Sequence, residues 1–367
     1  MQCLTLDNLN FMAKSIKKEY DFLALFQKFI SANKRGKRLQ KSGKRLTSGT
    51  VENYTYLYKL LSHFSAEKQF PLRIRTVSRL NKKELKTERS YWEKFYKKFT
   101  DYLYNDLDHY DNYVGMQGKY LRSFMNWLNT RMALNVGDFH QVFYTRTEEI
   151  QIVVLSPERL NYLIHASELE EKIPQRLVKV KDIFVFGCTV ALRFSDLMNL
   201  KPTNLEQVNN TWYLNVQSKK TQTYTRVKLP GYAVSILEKY KTKTRLLPYY
   251  HKVYLNRYIK ELLEIVGWTE PFARTREKRG IPVIIYKDPK KKEHYRFCDM
   301  ITTHTMRRTA ITTMLSLGMN EQAVRKISGH AANSKEFYRY VSFAQAYLDK
   351  QIDSVHEKLN QKQFVLN

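Results

Sequence analysis

The strongest constraint on this chain is its poverty in turn formers: twelve glycines and nine prolines in 367 residues, about half the usual share. Many short strands joined by tight turns are therefore not expected, and a mostly helical chain is. The same poverty leaves no glycine-rich phosphate loop. Neither G-x-x-x-x-G-K-[ST] nor G-x-G-x-x-G occurs, so nucleotide or dinucleotide chemistry is not expected. Hydrophobic residues at 43% and aromatics at 13% exclude a disordered basic tail. The length is enough for two domains with their own cores.

Charge narrows the class of partner. Lysine and arginine number 63 against 35 acidic residues, a formal net charge of +28 and an isoelectric point near 9.8. That excess points to a polyanion. No basic amphipathic helix with a Trp/Leu face is evident, so nucleic acid is preferred to a membrane surface. Cys3, Cys188 and Cys298 are too few and too scattered for a disulfide framework or a zinc clip, which fits a reducing cytoplasm. The first twenty residues lack an apolar signal region. The longest apolar run, Ile183 to Leu192, is interrupted by Gly187 and Thr189 and is too short to span a bilayer.

The first half reads as a helical unit. Phe22, Leu25, Phe26 and Phe29 recur at helical spacing, followed by a basic loop with Lys34, Arg35, Lys37, Arg38, Lys41, Lys44 and Arg45. Ser48 is positioned to cap a helix with the stripe Val51, Tyr54, Leu57, Leu61 and Phe64. Further helices carry Trp92, Phe95, Phe99, Leu103 and Leu107, and then Tyr120, Leu121, Phe124, Met125 and Leu128. Lys119 and Arg122, on the opposite side, are candidates for phosphate contact, although a solvated face is the default reading of such charges. Residues 133–153 lack periodicity and read as a linker. Ser156-Pro157-Glu158 then marks a fresh helix start. Helices over 157–167 and 175–192 lead to strand signals at Trp212–Val216, after Asn209-Asn210, and at Tyr224–Leu229, after Lys219-Lys220-Thr221. Helices resume at 231–240 and 250–266. Pro282–Tyr286 reads as a strand in a basic stretch, Gly318 as a helix stop and Asn320 as the next cap.

Four segments of the second half place polar residues in apolar surroundings. In Ala191-Leu192-Arg193-Phe194-Ser195-Asp196-Leu197, an arginine ends a very hydrophobic helix; it must meet a carboxylate such as Asp196 or await an anionic ligand. His304 and Arg307 lie one helical turn apart and can converge on one phosphate, with Arg308 as the competing partner. Ser328-Gly329-His330 follows an amphipathic helix, and its histidine reads equally as a satisfied cap. Tyr338 and Tyr340 follow in Phe337–Val341. None of these is diagnostic alone.

Taken in order, an arginine, a lysine in a hairpin turn, H-x-x-R, G-H and a tyrosine resemble the tyrosine recombinase (phage integrase) family, of the mobile-element integrase type. The resemblance spans 155–350, and the first half is similar to that family's core-binding domain in layout. It implies a mainly α fold with a small mixed β component: a helical core-binding (SAM-like) domain, then an α+β catalytic domain. The expected boundaries are an extension at 1–20, the core-type DNA-binding domain at 21–132, the linker at 133–153 and the catalytic domain with a C-terminal helix at 154–367. No separate arm-binding domain is expected.

The roles the resemblance implies are physically coherent. Arg193 and Arg307 would hold the non-bridging oxygens of the scissile phosphate, and His330 would hydrogen-bond the same phosphate. Tyr340 would attack phosphorus, His304 would assist its loss of a proton, and Lys220 would protonate the departing 5′-oxygen. Tyr338 and Lys219 remain alternatives for nucleophile and acid. Tyr340 falls one residue beyond the spacing from His330 common in the family and Tyr338 one short, with the Arg-Tyr-Val ending favouring Tyr340. The Lys-Thr pairing ahead of the strand ending in Leu229-Pro230 favours Lys220, while the slightly long turn to Pro230 keeps Lys219 open. No metal and no cofactor are implied. The implied partners are double-stranded DNA recombination sites, a homo-tetramer on DNA, and a host DNA-bending protein or directionality factor, in a bacterial cytoplasm at the nucleoid. The terminal stripe Ala344, Leu348, Ile352 and Val355 would dock on a neighbour or on its own domain. Topoisomerase IB-like relaxation and a non-catalytic DNA-binding regulator are the alternative functions.

Overall fold

The computed structural model describes residues 19–40, 43–143, 146–219, 221–242 and 244–360. The extension up to residue 18, Lys41, Lys220 and the side chains of Leu348 and Val355 lie outside the described residues. The chain divides into two compact units: residues 1–150 with 275–284, and residues 151–274 with 285–367.

The first unit is helical. Strand β1 (Glu19–Asp21) pairs antiparallel with β2 (Arg73–Arg75), and between and after them run α1 (Phe22–Lys34), α2 (Ser48–Glu67), α3 (Lys82–Asp101) and α4 (Asp111–Arg131). The helical spacing of aromatics explains the packing: Phe22, Phe26, Phe29, Phe64, Phe95 and Phe124 are all fully buried. Phe26 and Phe124 approach to 4.6 Å between ring centroids. Each such side chain contributes about 1.5–3 kcal/mol on burial. The cap of α2 is Thr47, not Ser48; Thr47 is extended and its hydroxyl accepts the Thr50 N–H. From the basic loop, Arg38 turns inward and donates to Ser123 at 2.7 Å. Arg122, a candidate for phosphate contact in the sequence, donates to the Gln141 carbonyl.

Of the stretch read as a linker over 133–153, residues 133–143 and 146–150 fall within this unit. Val136, Phe139 and Phe143 are buried with the aromatic core, because apolar side chains without periodicity still leave water when a surface is offered. Residues 275–284, read from sequence as part of the second half, also belong here. Buried Asp111 accepts backbone N–H groups of Arg279 and Gly280, both at 2.7 Å. Glu148, equally buried, pairs with Arg276 at 2.6 Å and accepts the Glu277 N–H.

The second unit begins with α5 (Pro157–Ile164), capped by Ser156. Then come α6 (Ser167–Lys172), α7 (Gln175–Val190) and the short α8 (Phe194–Leu197). Strands β3 (Leu205–Val208), β4 (Thr211–Gln217) and β5 (Tyr224–Lys228) form an antiparallel meander. Asn209 and Asn210 both adopt positive φ in its first turn, the twist a two-residue hairpin needs. Helices α9 (Gly231–Tyr240) and α10 (Lys252–Ile265) follow. The pair β6 (Pro271–Phe272) and β9 (Tyr295–Arg296) brackets β7 (Arg274–Lys278) and β8 (Ile281–Ile285), the hairpin whose residues 275–284 join the first unit. The chain closes with α11 (Phe297–Met300), α12 (Thr303–Ser316), α13 (Glu321–Ser328) and α14 (Lys335–Asn360). Helix α7, buried nearly all round, is the centre of the unit. Helix α12 packs so closely on it that a Cβ at Gly187 would stand 2.5 Å from the Met306 sulfur. Among the described residues, no helix is long and apolar enough to cross a membrane.

Candidate active site

Three chain reversals and the packing of the last helix gather Arg193, His304, Arg307, His330 and Tyr340 in the second unit. The first ends α7, where Ala191 is left-handed at φ 54°, so that the next residues turn out of the core. Arg193 emerges half-buried. It does not pair with Asp196 directly: it donates to the Ser218 hydroxyl at 2.9 Å, and Ser218 donates to Asp196 at 3.0 Å. The other Asp196 oxygen accepts the Lys219 N–H. Thus the acid of the arginine motif anchors the β4–β5 turn and, through Ser218, the guanidinium. The Lys219 side chain is exposed, while Thr221 faces the site.

The second reversal starts α12. Thr302 caps it by accepting the His304 N–H, and Asn256 of α10 accepts the Thr303 N–H at 2.8 Å. One turn later Arg307 is 4% exposed. It donates to the carbonyls of Ala191 at 2.8 Å and Ser328 at 2.7 Å, tying the ends of α7 and α13 together. Burial, and then the Arg193 charge, lower its guanidinium to about 10.

The third reversal ends α13. Gly329 is left-handed at φ 64°, and a Cβ there would meet the Thr223 hydroxyl at 2.8 Å, so glycine is required on both counts. His330 then lies 3.2 Å from an Arg307 amino nitrogen through Nε2, with Nδ1 2.8 Å from the Ser328 hydroxyl. A guanidinium only donates, so the ring nitrogen facing it accepts and the imidazole is neutral. Burial and the Arg307 charge push His330 down to about 3. Desolvation, with the Arg308, Arg307 and Lys252 charges, brings His304 down to about 4 against the opposing charge of Glu336.

Helix α14 buries Phe337, Tyr340 and Ala344 against Ala310, Ile311 and Leu315 of α12. Tyr340 is 2% exposed, and its ring centroid is 6.0 Å from that of His330. Burial raises its phenol, opposed by the neighbouring Arg308. Tyr338, two residues earlier, points elsewhere: it is 49% exposed, with the Arg325 guanidinium 5.4 Å from its ring.

Arg193, His304, Arg307, His330 and Tyr340 line one cavity of about 700 Å³, together with Lys252, Thr303 and Glu336. Sequence reasoning missed Ser218, Lys252 and Glu336. Only Glu336 carried a usable signal, being one helical turn before Tyr340. Two guanidiniums, two neutral imidazoles and a phenol around one cavity suit a single phosphodiester and its transition-state charge. Among the described residues, no group of three or more His, Cys, Asp or Glu is placed to hold a metal.

Comparison with known proteins bears on the fold and on the family. No curated protein matches the chain. Among solved structures, it is similar to the Tn1549 transposon integrase in complex with transposon right end DNA, at 13% identity and TM-score 0.54, covering 90% of this chain and 99% of that one. It is similar to a lambda integrase tetramer bound to a Holliday junction, at 11% and 0.54, covering 91% and 84%. The XerH site-specific recombinase bound to palindromic difH substrate matches at 13% and 0.53, covering 91% and 94%. At these identities the likeness is one of fold. The sequence itself carries the assignment: residues 154–346, more than half of the chain, match the phage integrase family, and the protein belongs to that family of tyrosine recombinases.

Proposed function

We propose that this recombinase cuts and rejoins DNA strands at specific sites through a 3′-phosphotyrosine formed by Tyr340. The observation that carries the reading is the convergence of Arg193, Arg307, His304, His330 and Tyr340 on one cavity. The phenolic oxygen attacks phosphorus, the P–O5′ bond breaks, and the two guanidiniums hold the non-bridging oxygens while charge accumulates. His304, neutral at physiological pH, accepts the tyrosine proton. The amino group of Lys220 supplies a proton to the 5′-oxygen. His330 fixes Arg307 and adds to the phosphate contacts when DNA enters. The ester energy is kept in the protein–DNA link, so no ATP is needed, and the two guanidiniums neutralise the phosphate in place of a metal.

Tyr340 is favoured over Tyr338 because it lines the cavity while Tyr338 is solvent-exposed. The first unit, at 21–132 in the sequence reading, acts as the core-type DNA-binding domain. Four protomers join two sites in a bacterial cytoplasm. Phosphate neutralisation supplies most of the affinity, which falls steeply with salt.

The test is a library of nicked duplexes with a randomised central segment, from which the 5′ product diffuses away and traps the adduct. The parent protein and Tyr338→Phe should form a covalent protein–DNA species, also with chelator present, and Tyr340→Phe should form none. Sequencing the attached DNA identifies the site. No adduct from the parent would leave the regulator reading. Adducts with relaxation but without exchange between two marked duplexes would leave the topoisomerase reading.

A further inference from the structure

The cavity contains one group that a phosphate site does not call for. Glu336 is the one carboxylate among the described residues that line it, and it would repel the DNA it shares the cavity with. An acid in the first turn of a helix is ordinarily explained by the helix dipole. Glu336 does occupy the first turn of α14, but it is also four residues before Tyr340, on the same face. It lines the same cavity as His304, Arg307 and Tyr340, and its negative charge opposes the cations that lower His304.

We propose that Glu336 supports nucleophile activation from the cavity it shares with His304 and Tyr340, its carboxylate stabilising the imidazolium that forms when His304 takes the Tyr340 proton. The inference rests on the strand-transfer reading above. In the step, the Tyr340 oxygen–phosphorus bond forms and the P–O5′ bond breaks. The phenolic proton moves to the His304 ring, and the 5′-oxygen is protonated by Lys220. The negative charge leaves the phenol for the phosphoryl group, held by Arg193 and Arg307, while a positive charge appears on His304. The other charged groups that shift His304 are cations, Arg308 and Arg307 of α12 and Lys252 of α10. A carboxylate on α14 is the group that can offset the new charge. The logic is that of a hydroxyl, an imidazole and an orienting acid, with a phenol as the hydroxyl.

The decisive measurement is single-turnover cleavage at saturating protein, beside the dissociation constant, on the nicked duplex recovered by the library selection. Glu336→Gln should slow cleavage by about 10- to 100-fold while binding stays equal or becomes tighter, because a charge repelling phosphate has gone. Glu336→Asp should recover most of the rate. Adding Glu336→Gln to His304→Gln should slow cleavage no further than His304→Gln alone. A dipole or packing role would lower stability without this split between binding and rate. Parental cleavage by Glu336→Gln, or a further full loss in the double variant, would overturn the proposal and leave the phosphotyrosine reading intact. Absence of any adduct from the parent would overturn both.

Discussion

Replacing Arg307 by methionine separates what the guanidinium does for the reaction from what it does for the fold. It is 4% exposed, its hydrogen bonds run to two carbonyls and a ring nitrogen, and Arg193 is a cationic neighbour. Lowering the group from 12.5 to about 10 corresponds to roughly 3 kcal/mol against the charged form in the folded state. The folded value lies below the unfolded one, so this cost is fully present below about pH 10 and fades as pH rises toward 12.5. Methionine removes it and leaves the carbonyls of Ala191 and Ser328 unpaired, at about 1 kcal/mol or somewhat more each. The variant should stay within about 2 kcal/mol of the parent, unlike the loss of about 3–5 kcal/mol expected on breaking a buried ion pair. Urea unfolding with and without sulfate measures this. Sulfate should raise the parent midpoint by filling the cationic cavity and should affect Arg307→Met much less. Strand cleavage should fall at least about 100-fold. A stability loss above about 3 kcal/mol, or the same sulfate response in both proteins, would refute the argument.

Other consequences follow from the same geometry. Glu148→Gln leaves the half-buried Arg276 without its carboxylate and should destabilise the first unit by up to about 3 kcal/mol, read as earlier protease cleavage within 275–284. His304 and His330 have folded values below the unfolded 6.5, so their stabilisation is complete above pH 6.5 and is lost as pH falls toward 4 and 3. The fall in urea midpoint over that window should be shallower in His330→Gln than in the parent; an identical slope would exclude His330 as a contributor. Ala191→Gly removes a left-handed alanine and should stabilise by up to about 1 kcal/mol with cleavage unchanged, whereas a clear loss of thermal midpoint would mean that the methyl packing outweighs the strain.

Much of the fold was legible locally. The apolar stripes of α1 to α4, the Ser156-Pro157 start, the Asn209-Asn210 turn, the Gly318 stop and the Asn320 cap all express short-range physics, readable within a few residues. Two readings failed for one reason. Residues 133–150 and 275–284 have no periodicity that marks a partner, and both are held in the first unit by contacts such as Glu148 with Arg276, 128 residues away. Ser48 lost the cap to Thr47 because adjacent hydroxyl residues compete, and backbone entry decides between them.

The residue types of the site, two arginines, two histidines and tyrosines near the end, were present in sequence order and suggested phosphate chemistry. What order cannot express is which of them meet. Tyr338 and Tyr340 are nearly equivalent in the chain, and the packing of α14 on α12 turns one into the cavity and the other to water. Likewise Arg193 reaches Asp196 only through Ser218, and Glu336 becomes interesting only because His304 arrives from another helix. Spacing along a helix fixes a side chain's neighbours on its own surface, whereas a catalytic cavity is built from several surfaces whose meeting depends on the whole core.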